Sequence, residues 1–114
     1  MTDYRLLFDR LIFTAARAAE WRRGVMARHP GDPRNGRAIQ SLSGLAKAKY
    51  ADVSPTAWDA LAPYIDRDCL NEAINQANRA VGFSSHPHGF DEYVKSIATL
   101  AQTYALPASI GGAQ

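Results

Sequence analysis

Apolar residues recur every three or four positions through most of the chain, and no stretch alternates long enough to read as a strand. Proline and glycine cut this pattern into five segments. The first spans about Asp3 to Arg28, opening after Thr2 as N-cap and closing before His29-Pro30. Steps of 100° put Tyr4, Leu7, Phe8, Leu11, Ala15, Ala18, Val25 and Met26 on one face. At 1.5 Å per residue such a helix runs ~40 Å. Gly24 is where a bend or an early end is expected.

Asp32-Pro33 opens the second segment as N-cap and N1 proline. Ile39, Leu42, Leu45, Ala46 and Tyr50 carry its stripe to about Ala51. Gly36 and Gly44 weaken it by about 1 kcal/mol each relative to alanine, and their small size suggests close approach of another helix. Ser54-Pro55 repeats the start signal for a short third helix through Trp58 and Leu61. In the fourth segment Asp66 reads as N-cap, with Ile65 and Leu70 placed as a hydrophobic staple. Its buried face is Cys69, Leu70, Ala73, Ile74, Ala77, Ala80 and Val81, and Gly82 ends it. The fifth runs from about Gly89 to Ala105 with Phe90, Val94, Ile97, Ala101 and Tyr104 in register, and Pro107 stops it.

The pattern predicts an all-α fold, a compact bundle of four principal helices plus one short connector helix. Residues 1–106 are expected to form a single helical domain and 107–114 a flexible C-terminal tail. With 46% hydrophobic and 21% charged residues, the chain has ordinary globular usage rather than that of a disordered one. No apolar run approaches the roughly 18 to 20 residues that cross a bilayer. Asp9 and Arg10 interrupt the apolar stretch Leu6 to Ala19, and Asp3 stands where a signal peptide is basic, so a cytoplasmic location is expected. The lone Cys69 makes no intrachain disulfide.

Charge is unevenly divided. Residues 1–50 hold ten Lys/Arg against four Asp/Glu, a net +6; residues 51–114 hold three against seven, a net −4. The halves can attract each other within the fold, or the basic half can meet an acidic partner or nucleic acid.

The back of the first helix carries the most informative pattern. Arg10, Arg17 and Arg28 fall on one line, with Leu6, Phe13 and Trp21 beside it and opposite the main apolar face. Three accounts fit. The helix is central and buries both faces, with Arg17 lying over Trp21. Alternatively, Arg10, Phe13, Arg17, Trp21 and Arg28 form a protein-binding surface, since Trp and Arg anchor interfaces. In the third, Arg10, Arg17, Arg28, Arg34 and Arg37 meet phosphates. No helix-turn-helix, zinc finger or RNA-binding signature accompanies this last set, and a solvated helix face also explains Arg34, Arg37, Lys47 and Lys49.

His86 and His88, two apart in a loop, could share a metal with Asp91, but one ligand pair is a thin basis for a metal site and loop histidines explain them as well. Cys69 reads as a small core residue rather than a nucleophile. Ser84 and Ser85 sit in no nucleophile elbow, and no phosphate-binding glycine motif follows a strand. Asn71, Asn75 and Asn78 line one flank of the fourth helix, as solvent-exposed amides or as partners for another chain. With no nucleophile, base and oxyanion donor to assemble, the expectation is a non-enzymatic interaction or regulatory module without cofactor. It binds a protein, or a second copy of itself, through the first helix; nucleic acid is the alternative.

Overall fold

The cap signals written in the sequence act locally. The Arg34 N–H donates to Asp32 Oδ1 at 3.0 Å, and Pro33 fills the first helical position, where its missing N–H costs nothing. The Ala57 N–H donates to Ser54 Oγ at 3.2 Å ahead of Pro55 in the same way. The computed structural model describes residues 4–81 and 89–105. Its helices are α1 (Arg5–Arg28), α2 (Pro33–Leu45), the short α3 (Pro55–Leu61), α4 (Asp68–Ala80) and α5 (Phe90–Ala105). Single 3₁₀ turns lie at Tyr50–Asp52 and Ala62–Tyr64. Among the described residues there is no strand, and the all-α bundle of four principal helices and one short helix is the architecture observed. Thr2, Gly82, Pro107 and the 107–114 tail lie outside the described residues.

Several boundaries differ from the sequence pattern. α1 neither stops nor breaks at Gly24 but continues to Arg28. α2 ends at Leu45 instead of reaching Ala51, through two tight turns in which Lys47 and Ala48 donate to the carbonyls of Gly44 and Leu45. That frees Tyr50 from the α2 axis. Its ring stacks at 5.9 Å on Trp58 and meets Phe8 edge-on at 5.6 Å, and its hydroxyl accepts from the Tyr4 N–H. α4 starts one residue late: Arg67, not Asp66, is the N-cap, because the chain is still turning through Tyr64 and Arg67. Gly36 and Gly44 permit no close approach, since a Cβ at either would meet nothing within 4 Å.

One core joins the helices. Leu11, Leu42, Leu61, Leu70, Val94 and Ile97 are fully buried in it. α1 packs along α2, while α5 lies between α3 and α4. At the α1–α3–α5 junction, rings follow one another: Tyr4 on Trp58 at 5.4 Å, Phe8 on Phe90 at 5.2 Å, and Phe90 on Tyr93 at 5.4 Å. Such pairs contribute about 0.5–1.5 kcal/mol each beyond their area. The buried face of α1 is Leu7, Phe8, Leu11, Ala15 and Ala19; Met26, expected there, is exposed, as is Tyr104 at the end of α5. On α4, Asn78 is buried and Ala80 exposed, the reverse of the expected assignment. Cys69 is a free, half-buried thiol against the core.

Candidate functional site

α1 leaves one long side without cover. Its outer line carries Leu6, Phe13 and Trp21 at 86%, 59% and 61% exposure, with Arg10, Arg17 and Arg28 exposed between and beyond them. The account in which α1 is central and buries both faces therefore fails. α2 packs along the buried side of α1, and α4 meets it at one flank of the open line, where Arg10 reaches Asn71. The cation–ring contacts also differ from expectation. The Arg17 guanidinium lies 5.6 Å from the Phe13 ring, one turn back, and Arg22 rather than Arg17 covers Trp21, at 5.4 Å. Stacked this way, each ring gains cation–π stabilisation and keeps its outer face to solvent.

Beside this line, α1 and α4 enclose a cleft of about 500 Å³. Thr14, Arg17, Ala18, Trp21 and Arg22 line it from α1, and Asn75, Asn78 and Arg79 from α4. Two arginines tie the helices across it. Arg10 donates to Asn71 Oδ1 toward one end, and Arg22 donates to the Arg79 carbonyl oxygen at 3.2 Å toward the other. The first tie joins the earlier residue of each helix and the second the later one, so the helices run in the same sense there. The ties are about 18 Å apart along α1. Arg22 also reaches Asn35 Oδ1 of α2 at 3.2 Å, which gives that buried amide its partner.

The three α4 asparagines thus do different work. Asn71 takes Arg10, Asn75 faces the cleft, and Asn78 is buried under it against Tyr93. Their spacing of four and three residues along one flank is the sequence signal for this wall; Arg22, Arg79 and Thr14 carry none, because only the placement of α4 beside α1 gives them a common space. No carboxylate lines the cleft among the described residues, so its three guanidiniums set its field. Glu20, on the same helix, is turned to Arg23 at 2.9 Å.

The remaining candidates are not drawn into this site. Asp32 grips Arg34 through both carboxylate oxygens, with Arg34 Nη2 at 2.7 Å from Oδ2, and these contacts hold the Asp32 carboxyl down at about 2. Arg34 is therefore committed to its own helix cap, and Arg37 is exposed on α2. Arg28 closes the last turn of α1, its guanidinium folded back toward Gly24. Asp91 accepts the Ser54 N–H at 2.6 Å and pairs with Lys95 at 3.1 Å, so it joins α5 to the start of α3. His86 and His88 lie outside the described residues. Among the described residues no cluster of three or more His, Cys, Asp or Glu side chains is placed to hold a metal, and no helix is long and apolar enough to cross a membrane. No protein-family profile, curated protein or solved structure matches the chain.

Proposed function

We propose that this chain is a small non-enzymatic regulatory module of the cytoplasm that binds a protein partner through the outer face of α1. One observation carries the reading: Leu6, Phe13 and Trp21 stand exposed in a single row, with Arg10 and Arg17 between them. Scattered exposed apolar side chains are ordinary, but three large ones aligned on one helix and bordered by a cleft are the anatomy of an interface. Arg10, Phe13, Arg17, Trp21 and Arg28 are its contact residues. Trp and Arg concentrate binding energy because they bury large area while keeping a polar handle.

The test is photocrosslinking in producing cells, with benzophenylalanine placed at position 13 or, as control, at Thr99, exposed on α5. The reading expects a discrete protein adduct from position 13 and none from position 99, surviving high salt. An adduct of twice the chain's own mass identifies a second copy as the partner. Adducts that nuclease removes would replace the protein reading with nucleic acid, and equal adducts from both positions would contradict it.

A further inference from the structure

We infer that the partner segment is an acidic amphipathic helix laid along α1 over the α1–α4 cleft; this rests on the protein-binding reading above and adds the chemistry of what binds. Leu6, Arg10, Phe13, Arg17 and Trp21 stand four, three, four and four residues apart. Steps of three and four keep residues on one side of a helix, the register by which a second helix packs alongside. Apolar and cationic positions take turns along this seam. Arg10 and Arg17 are seven residues apart, about 10 Å along the axis. A partner helix carrying Asp or Glu seven residues apart meets both, and the apolar side chains between them meet Leu6, Phe13 and Trp21.

Charge selects the sign. Arg17, Arg22 and Arg79 line the cleft beside the seam, Arg10 stands at its end, and no carboxylate lines it among the described residues. Arg10 is already hydrogen-bonded to a neutral acceptor, Asn71 Oδ1, so it is positioned while keeping its charge. Arg79 sits in the last turn of α4. A basic or neutral helix placed here would leave the Arg10 and Arg17 guanidiniums desolvated without counter-charge from the partner, which is costly. An acidic one supplies it, and Asn75 adds an amide to receive a partner's polar group at the cleft wall.

The experiment selects binders to the full chain from a phage-displayed library of 22-residue helical peptides randomised along one face. The bound site is read from amide shifts in the nitrogen-15 spectrum. The expected consensus is acidic residues seven apart with apolar residues between, shifts centred on Leu6 to Arg28, and about tenfold or greater weakening in Arg10→Glu/Arg17→Glu. Selection on that variant should return basic peptides. Should the double variant lose its folded spectrum, Arg17→Glu alone, whose side chain ties no two helices together, serves the same comparison. Peptides that bind α1 but are neutral or basic, or that ignore the charge reversal, overturn the acidic-helix inference and leave the protein-binding reading standing. Binders whose shifts fall away from α1, or a library that yields none, overturn both.

Discussion

The Tyr93 hydroxyl of α5 donates to the side-chain oxygen of Asn78 on α4, in the interior directly beneath the cleft. Tyr93 is almost fully buried, and burial pushes its phenol well above the ordinary value of 10.0, against the opposing pull of hydrogen bonds to Thr14 and Asn78. This polar contact ties together the three helices that form the cleft and its floor. Removing the hydroxyl in Tyr93→Phe leaves the Asn78 amide buried with its acceptor unfilled, a loss of about 1–3 kcal/mol, measurable by urea denaturation.

The same residue sets an alkaline limit. A phenol whose folded pKa lies above its unfolded value binds its proton more tightly in the folded state. Its stabilising contribution is complete below pH 10 and is lost as pH rises from there toward the folded value. Stability should therefore fall as pH rises beyond 10, and the fall should be shallower in Tyr93→Phe. Equal slopes in the two proteins would contradict the assignment.

At the acid end the group is Asp91. The backbone N–H of Ser54, the Ser54 side chain and Lys95 hold its carboxyl below the usual 3.8. A depressed carboxyl stabilises the fold above its unfolded pKa and ceases to do so as pH falls below 3.8 through the folded value. Asp91→Asn should lower the urea midpoint at pH 7 and narrow the difference from the parent chain as pH falls through that window. Ser54 serves both this contact and the α3 cap, so Ser54→Ala should cost about 0.5–2 kcal/mol for the cap.

Two glycines offer stability instead of function. A Cβ at Gly36 meets nothing within 4 Å, and one at Gly24 meets only the Arg28 guanidinium at 3.8 Å. Both lie inside helices, where alanine restricts the unfolded chain more than glycine does. Gly24→Ala and Gly36→Ala should each raise stability by about 0.5–1 kcal/mol in thermal or urea unfolding.

The two tryptophans should behave oppositely. Trp58 is 3% exposed and stacked between Tyr4 and Tyr50, so Trp58→Ala should cost about 3–5 kcal/mol. Trp21 touches Arg22 at the surface, and Trp21→Ala should leave stability within about 0.5 kcal/mol while abolishing partner adducts from α1. A large stability loss in Trp21→Ala would mean that the ring supports the fold.

What could be read from the residues alone follows from how local the physics is. Asp32-Pro33 and Ser54-Pro55 act over three residues, and both helices begin where those signals stand. Tyr50 is different. As a continuation of α2 it fits the apolar stripe, yet it leaves the helix because Trp58 and Phe8, distant in sequence, offer it more contact. Spacing alone leaves Asn78 as a solvent-exposed amide or a partner for another chain and puts Ala80 in the core; in the fold the Tyr93 hydroxyl supplies the buried Asn78 amide with a partner, and Ala80 is exposed. The line of Leu6, Phe13, Trp21 and the arginines was legible from spacing, but whether it was packed or open depended on where α4 lies. The cleft was not legible at all, because Arg22 and Arg79 become neighbours only in the folded chain.

The central claim is that α1 presents an open face kept for a protein partner, and Trp21 reports on it most directly. In chain labelled with 5-fluorotryptophan, the two fluorine resonances are assigned with Trp21→Phe and recorded in H₂O and D₂O, free and with a selected helical peptide. The account predicts a solvent isotope shift for Trp21 and none for Trp58 in the free protein, with the Trp21 resonance alone moving and losing that shift on binding. A free-state Trp21 signal with no isotope shift, or peptide binding that leaves it unmoved, would contradict the account.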